Sequence, residues 1–114
     1  MKNHEMRLHE GPFDRIASGV KKIEYRLNDE KRREIRIGDT ITFYKRPEEM
    51  EKIVVKVTDL KHYEDLLSMY TASFDHYLRD MYETPQDAVD DTPYYTDEDV
   101  RRYGCLAIHF EKID

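Results

Sequence analysis

Among the 114 residues there is one cysteine, Cys105. It cannot close an intramolecular disulfide, and alone it supplies no cysteine-based zinc cluster. Nowhere do about 18 apolar residues run together, which excludes a membrane-spanning helix. The N-terminal stretch from Met1 to Arg7 holds no apolar run resembling a signal peptide. No internal repeat, low-complexity tract or linker is visible. The five histidines, at positions 4, 9, 62, 76 and 109, lack the i, i+4 spacing of a metal-binding helix. These absences lead us to expect a cytoplasmic protein with no metal, no other cofactor and no membrane partner.

What is present fits a folded domain. Charged residues make up 39% of the chain, a proportion often met in disordered tails, but hydrophobic residues also make up 39%, with nine Tyr and four Phe. That apolar content is too high for a solvated tail. A chain of this length buries roughly 65% of its unfolded surface, enough for one core, so residues 1–114 are expected to form a single domain. The formal net charge of -6 argues at first against a nucleic-acid partner. The charge is unevenly spread, however. Residues 1–61 carry 15 Lys and Arg against 12 Asp and Glu, a net of +3, and residues 62–114 carry 4 against 13, a net of -9. Such polarity is itself a hint about partners.

Hydrophobic periodicity orders the chain. Met6 and Leu8 alternate with Arg7 and His9 as in a short strand. After Gly11-Pro12, the i, i+3, i+4, i+7 spacing of Phe13, Ile16, Ala17 and Val20 predicts a helix over 12–18, capped near Gly19. Residues 22–27 alternate strictly, placing Ile23, Tyr25 and Leu27 on one face and Lys22, Glu24 and Arg26 on the other. A charge-dense loop or single helical turn spans 28–36 and closes at Gly38-Asp39. Strands are expected at 40–45, with Ile41 and Phe43 inward, and at 53–58, separated by an exposed turn at 47–51. The spacing of Tyr63, Leu66, Leu67 and Tyr70 predicts a helix. Ser73 reads as the cap of another, carrying Phe74, Tyr77, Leu78 and Met81. Thr84-Pro85 and Thr96 followed by Asp97-Glu98-Asp99 each read as a helix start. Gly104 ends the last helix, and residues 105–110 return to strand period. The fold class is thus α+β: a small curled sheet or mixed barrel of five to six strands with inserted helices.

The most informative segment is Gly19-Val20-Lys21-Lys22-Ile23-Glu24-Tyr25-Arg26. A glycine turn and two lysines lead into a strand face bearing a carboxylate and a guanidinium. Neighbours at i and i+2 lie about 6–7 Å apart along a strand, so Glu24 can orient Arg26 or a ligand donor. Lys21 stands where it can bend toward the same face. Such a trio can hold a phosphate or a base edge, or keep a desolvated lysine for use as base or nucleophile. It can equally be an exposed face of oppositely charged cross-pairs, and spacing alone leaves both readings open.

The pattern Gly-x-Lys-x-x-Glu-x-Arg after an N-terminal strand and helix, followed by Gly38-Asp39 entering a strand, resembles the ASCH domain of the PUA-like superfamily. The tail Tyr103-Gly104-Cys105-Leu106-Ala107-Ile108-His109-Phe110 resembles the last strand of its small prokaryotic members. The resemblance spans roughly residues 4 to 111. It implies a PUA-like β-barrel with a cleft lined by the motif and a partner that is RNA or a nucleotide or nucleoside ligand. The ligand-binding residues along the motif are Gly19, Lys21, Lys22, Glu24 and Arg26, and Tyr63 joins them as a ring that can stack a base. One bacterial branch of the family removes the acetyl group from acetylcytidine with a lysine and a threonine of this motif and a more distant glutamate. The lysine corresponds to Lys21. The threonine position is Glu24 in this chain, and no motif marks the glutamate, although Glu64 lies in an expected helix. An amidohydrolase of this type would use Lys21 and Glu24 as its catalytic pair, with Arg26 stabilising the oxyanion or binding phosphate.

Other features each carry two readings. Lys31-Arg32-Arg33 with Arg36, Lys45 and Arg46 is a phosphate-tracking rim or a solvated loop balanced by Asp29, Glu30 and Glu34. Tyr25, Tyr44 and Tyr63 stack bases or fill the core. Tyr94-Tyr95 is an exposed pair suited to a lid. Cys105 reads as a buried strand residue. The acids from Asp87 to Asp99 form a solvated face, or a wall that repels long duplexes. Three functions follow: an RNA- or nucleotide-binding module, an amidohydrolase acting on a modified nucleoside, or a protein-interaction adaptor using the acidic half.

Overall fold

A computed structural model describes residues 1–113. Five strands form one mixed sheet in the order β1-β3-β4-β5-β2: β1 (Asn3–Leu8), β2 (Ile23–Leu27), β3 (Thr40–Lys45), β4 (Lys52–Tyr63) and β5 (Cys105–Lys112). Helix α1 (Glu10–Ala17) joins β1 to β2, and α2 (Leu66–Ala72), α3 (Pro85–Asp90) and α4 (Asp97–Tyr103) lie between β4 and β5. β1 runs parallel to β3, from Asn3 opposite Thr40 to Leu8 opposite Lys45. β3 and β4 are antiparallel, with Ile41 opposite Val55 and Phe43 opposite Ile53.

The chain divides into two compact units. The first comprises Met1–Glu24, Ile35–Leu60 and the last part of β5 from Ile108; the second comprises Tyr25–Glu34 and Lys61–Ala107. In the first unit Ile16, Ile41, Phe43, Val55, Val57 and Ile108 are almost wholly buried, each contributing about 1.5–3 kcal/mol through its burial. The Phe43 and Phe110 rings pack at 5.7 Å between centroids. Asp39 ties the start of this unit together. Its carboxylate accepts from the Lys2 and Arg36 backbone N–H groups at 3.1 and 3.0 Å and meets His4 Nε2 at 2.9 Å. The Gly38-Asp39 pair is therefore a structural corner, and Gly38 reaches its φ of +96° without a side-chain penalty.

The second unit is built around tyrosines. Tyr25 meets Tyr70 edge-on at 5.1 Å and donates to or accepts from Ser73 Oγ at 2.8 Å. Tyr70 pairs with Thr92 at 3.1 Å. Burial pushes the Tyr70 phenol well above its usual pKa.

Several expectations are corrected here. β4 continues through Tyr63, so this residue ends a strand and does not begin a helix. α2 starts only at Leu66, capped by Asp65, whose side chain accepts from Ser68 N. No α-helix covers 74–81; turns and a 3-10 segment at Leu78–Asp80 stand there. Ser73 closes α2, its hydroxyl donating to the Met69 carbonyl at 3.1 Å. Leu67, Met81 and Val20, all assigned to apolar faces, are exposed. Glu64 precedes the α2 cap and is exposed. By contrast, Thr84 and Asp87 form the reciprocal capping box of α3, and the Thr96 side chain caps α4.

Candidate functional site

α1 ends at Ala17, and the Gly19 and Lys21 N–H groups donate back to the Ile16 and Arg15 carbonyls, both at 3.0 Å. Gly19 holds a φ of +87° with open space where a side chain would stand, so the chain reverses tightly before β2. The reversal turns the Lys21 side chain inward, where it is only 5% exposed. Its Nζ lies 3.2 Å from Glu24 Oε1, and Glu24 is itself 5% exposed. On the polar face, which the alternation left open between a ligand face and an exposed one, Glu24 is buried while Lys22 is exposed. Two groups of opposite charge removed from water must satisfy each other, and the three-residue spacing across the strand start allows them to meet.

Beside this pair lies a cavity of about 300 Å³. Ile16 and Phe110 give it an apolar lining, and Gly19, Lys21, Lys22, Thr58, Glu111 and Lys112 add backbone and polar groups. Lys112 Nζ donates to the Ala17 carbonyl at 3.0 Å, placing a cation at the negative end of α1. The cavity can accept an apolar ring against Ile16 and Phe110 while presenting ammonium groups to a polar or anionic substituent.

Gly19, Lys21 and Lys22 therefore share one cavity, and Glu24 joins through Lys21. Arg26, half-buried on β2, and Tyr63, half-buried at the end of β4, belong to the second unit and are not among the residues lining that cavity. Sequence reasoning missed Lys112, Thr58 and Phe110. The strand period of β5 had marked Phe110 only as core, and nothing local tied residues 95 positions apart, such as Ala17 and Lys112, to one wall.

The proposed rim is sorted by its contacts. Lys45 faces Asp14 at 3.1 Å, Glu51 at 3.4 Å and Glu10 at 3.9 Å, and Arg32 faces Asp29 at 3.4 Å. Tyr25 is core, and Tyr44 hydrogen-bonds Glu5. Tyr94 is exposed and packs edge-on against Tyr95 at 4.7 Å. Among the described residues no cluster of three or more His, Cys, Asp or Glu could hold a metal ion, and no helix is long and apolar enough to cross a membrane.

The ASCH domain family model matches residues 6–114. The chain is also similar to the hypothetical protein PH0355, known from a crystal structure. The two share 35% identity with a TM-score of 0.83, over 99% of this chain and 100% of that one. A second similar structure is the solution NMR structure of protein PF0455 from Pyrococcus furiosus, at 29% identity and a TM-score of 0.73, covering 98% of both chains. No curated protein matches the chain in sequence.

Proposed function

Because the chain belongs to the ASCH domain family, with its PUA-related α+β fold, we propose that it binds RNA or a nucleotide and seats one nucleoside unit in the cavity beside Lys21 and Glu24. The observation that carries this reading is the buried Lys21–Glu24 pair at the wall of a cavity of about 300 Å³. That volume sits at the lower end of the roughly 300–1,000 Å³ typical of small-ligand pockets. It suits a single base and sugar and is too small for a folded oligonucleotide. Lys22 and Lys112 supply positive charge for a phosphate, and Ile16 and Phe110 a surface for a ring. Arg26, from the motif, and Tyr63, as a ring for stacking a base, are proposed as RNA contacts of the second unit.

Titration of nucleosides, mononucleotides and short single-stranded RNAs tests it. Binding to the native protein should be lost when Lys21 and Glu24 are replaced together by Met and Leu, with the fold verified by circular dichroism. Unchanged affinity in that variant would refute the cavity assignment.

The burial of a lysine against a carboxylate favours a second reading, hydrolysis of an acetylated nucleoside amine. Water oxygen bonds to the acetyl carbonyl carbon, the carbon–nitrogen bond breaks, and the proton taken from water passes by way of the Lys21–Glu24 pair to the leaving nitrogen. The products are acetate and the free amine. Acetate release from acetylcytidine, abolished by Glu24→Gln, is the expected outcome; a flat time course at high enzyme concentration removes this reading.

A further inference from the structure

The second unit is acidic, with 14 Asp and Glu against 8 Lys and Arg over 25–34 and 61–107. Five of those eight cations nevertheless fall in two short runs, 31–33 and 101–102. The fold brings the runs to one side chain. The guanidinium carbons of Arg33 and Arg102 lie 5.9 and 5.3 Å from the centroid of the Tyr103 ring, hence no more than about 11 Å from each other. Arg33 is held further by donating its Nε to the Asn28 carbonyl at 2.8 Å, and the Asn28 N–H donates to the Gly104 carbonyl at 2.9 Å. The planar groups of both arginines, anchored on one aromatic ring, lose little freedom on gaining an anion. In the same loop, Asn28 Oδ1 and Arg32 Nε are buried with no hydrogen-bond partner among the described residues, so an acceptor and a donor there are unsatisfied.

We infer that Arg33, Arg102 and Tyr103 form a contact surface for the phosphate backbone of single-stranded RNA, separate from the nucleoside cavity of the first unit. Guanidinium groups match phosphate in two-pronged hydrogen bonds, and two of them within about 11 Å can reach neighbouring phosphates of one strand. The surrounding acids limit the footprint to a few phosphates, which disfavours a duplex lying along the surface. The inference rests on the reading of RNA as ligand but not on the cavity.

Affinity of a short single-stranded RNA is measured against salt concentration for the native chain and for Arg33→Ala with Arg102→Ala, alongside titration of a mononucleotide. Both arginines are exposed, and circular dichroism verifies the fold of the variant. The expected result is a log–log salt slope smaller by about 0.7 for each lost phosphate contact, about 1.4 for the pair, with mononucleotide binding unchanged. An unchanged slope, or RNA displaced equally well by polyglutamate, would overturn the inference, the latter in favour of an acidic protein partner. Loss of mononucleotide binding in the Lys21/Glu24 variant, with the RNA slope intact, reports on the cavity alone.

Discussion

Removing one member of the Lys21–Glu24 pair is the sharpest test of how the motif is built. Both side chains are buried and 3.2 Å apart, so Lys21→Met leaves a carboxylate away from water with its ammonium partner gone. Breaking a buried pair in this way costs about 3–5 kcal/mol, a large share of the roughly 5–15 kcal/mol that holds a domain together. For a domain of this size that corresponds to a melting temperature lower by about 10 °C or more. Glu24→Leu should behave alike. The double variant, with two apolar side chains filling the same space, should return close to native stability, because the burial penalty of both charges disappears together. Urea denaturation of the four proteins gives the coupling energy directly. Single variants that lose less than about 1 kcal/mol, as exposed pairs do, would refute the buried-pair argument. A stable double variant that no longer binds nucleoside would separate the role of the pair in recognition from its role in folding.

Three further outcomes follow from local geometry. The hydrogen bond from His4, with those from Lys2 and Arg36, holds the Asp39 carboxyl down to about 2 from its ordinary 3.8. The stability it provides, on the order of 2 kcal/mol, is complete above pH 3.8 and lost as pH falls toward 2; the denaturation midpoint should drop over that window in the native chain, and a drop of equal size in Asp39→Asn would refute the assignment. Burial, reinforced by the negative charge of Asp65, pushes the Cys105 thiol up to about 11, so at pH 8 a thiol reagent should react on the order of a hundredfold more slowly with native than with unfolded protein, and equal rates would disprove it. Gly104 combines a φ of +72° with a position where an added Cβ would stand 3.3 Å from the Tyr63 carbonyl oxygen, so Gly104→Ala should cost about 1–3 kcal/mol in thermal denaturation, and a loss below about 0.5 kcal/mol would show that the strain is relieved.

What could be read from the chain beforehand was whatever depends on neighbours in sequence. β3 shows its alternation because Ile41 and Phe43 face the core directly, and α3 and α4 announce themselves through Thr84 and Thr96, whose caps are complete within four residues. The second half of β4 gave no such signal. Asp59 to Tyr63 lacks apolar alternation, and the strand runs on there past Lys56, where its register with β3 ends. The helical spacing of Tyr63 with Leu66 and Tyr70 was coincidental, since the chain turns at 64–65. The spacing of Phe74, Tyr77 and Leu78 misled in another way: Tyr77 and Leu78 are core residues, but turns deliver them. The motif itself showed which residues mattered while hiding their environment. Period-2 logic left open whether Glu24 faces solvent or a ligand, and the inward turn of Lys21 after Gly19 brings an ammonium group to the buried carboxylate.

The net charge of -6 gains meaning only when each cation is followed to its partner. Lys45 is held among three carboxylates and Arg32 beside Asp29, so counting basic residues overstates the charge available to phosphate. Arg33 and Arg102 both lean on Tyr103. These two contacts, with Lys22 and Lys112 at the cavity, give a salt slope of at most about -2.8, so RNA affinity should fall no more than about fiftyfold between 50 and 200 mM salt. A protein that tracks nucleic acid through six to ten phosphates loses about 10³–10⁵ over the same range. A fall of that larger size would mean that many more cations reach the backbone than these contacts allow, and the view of a few-phosphate surface in an acidic unit would have to be abandoned.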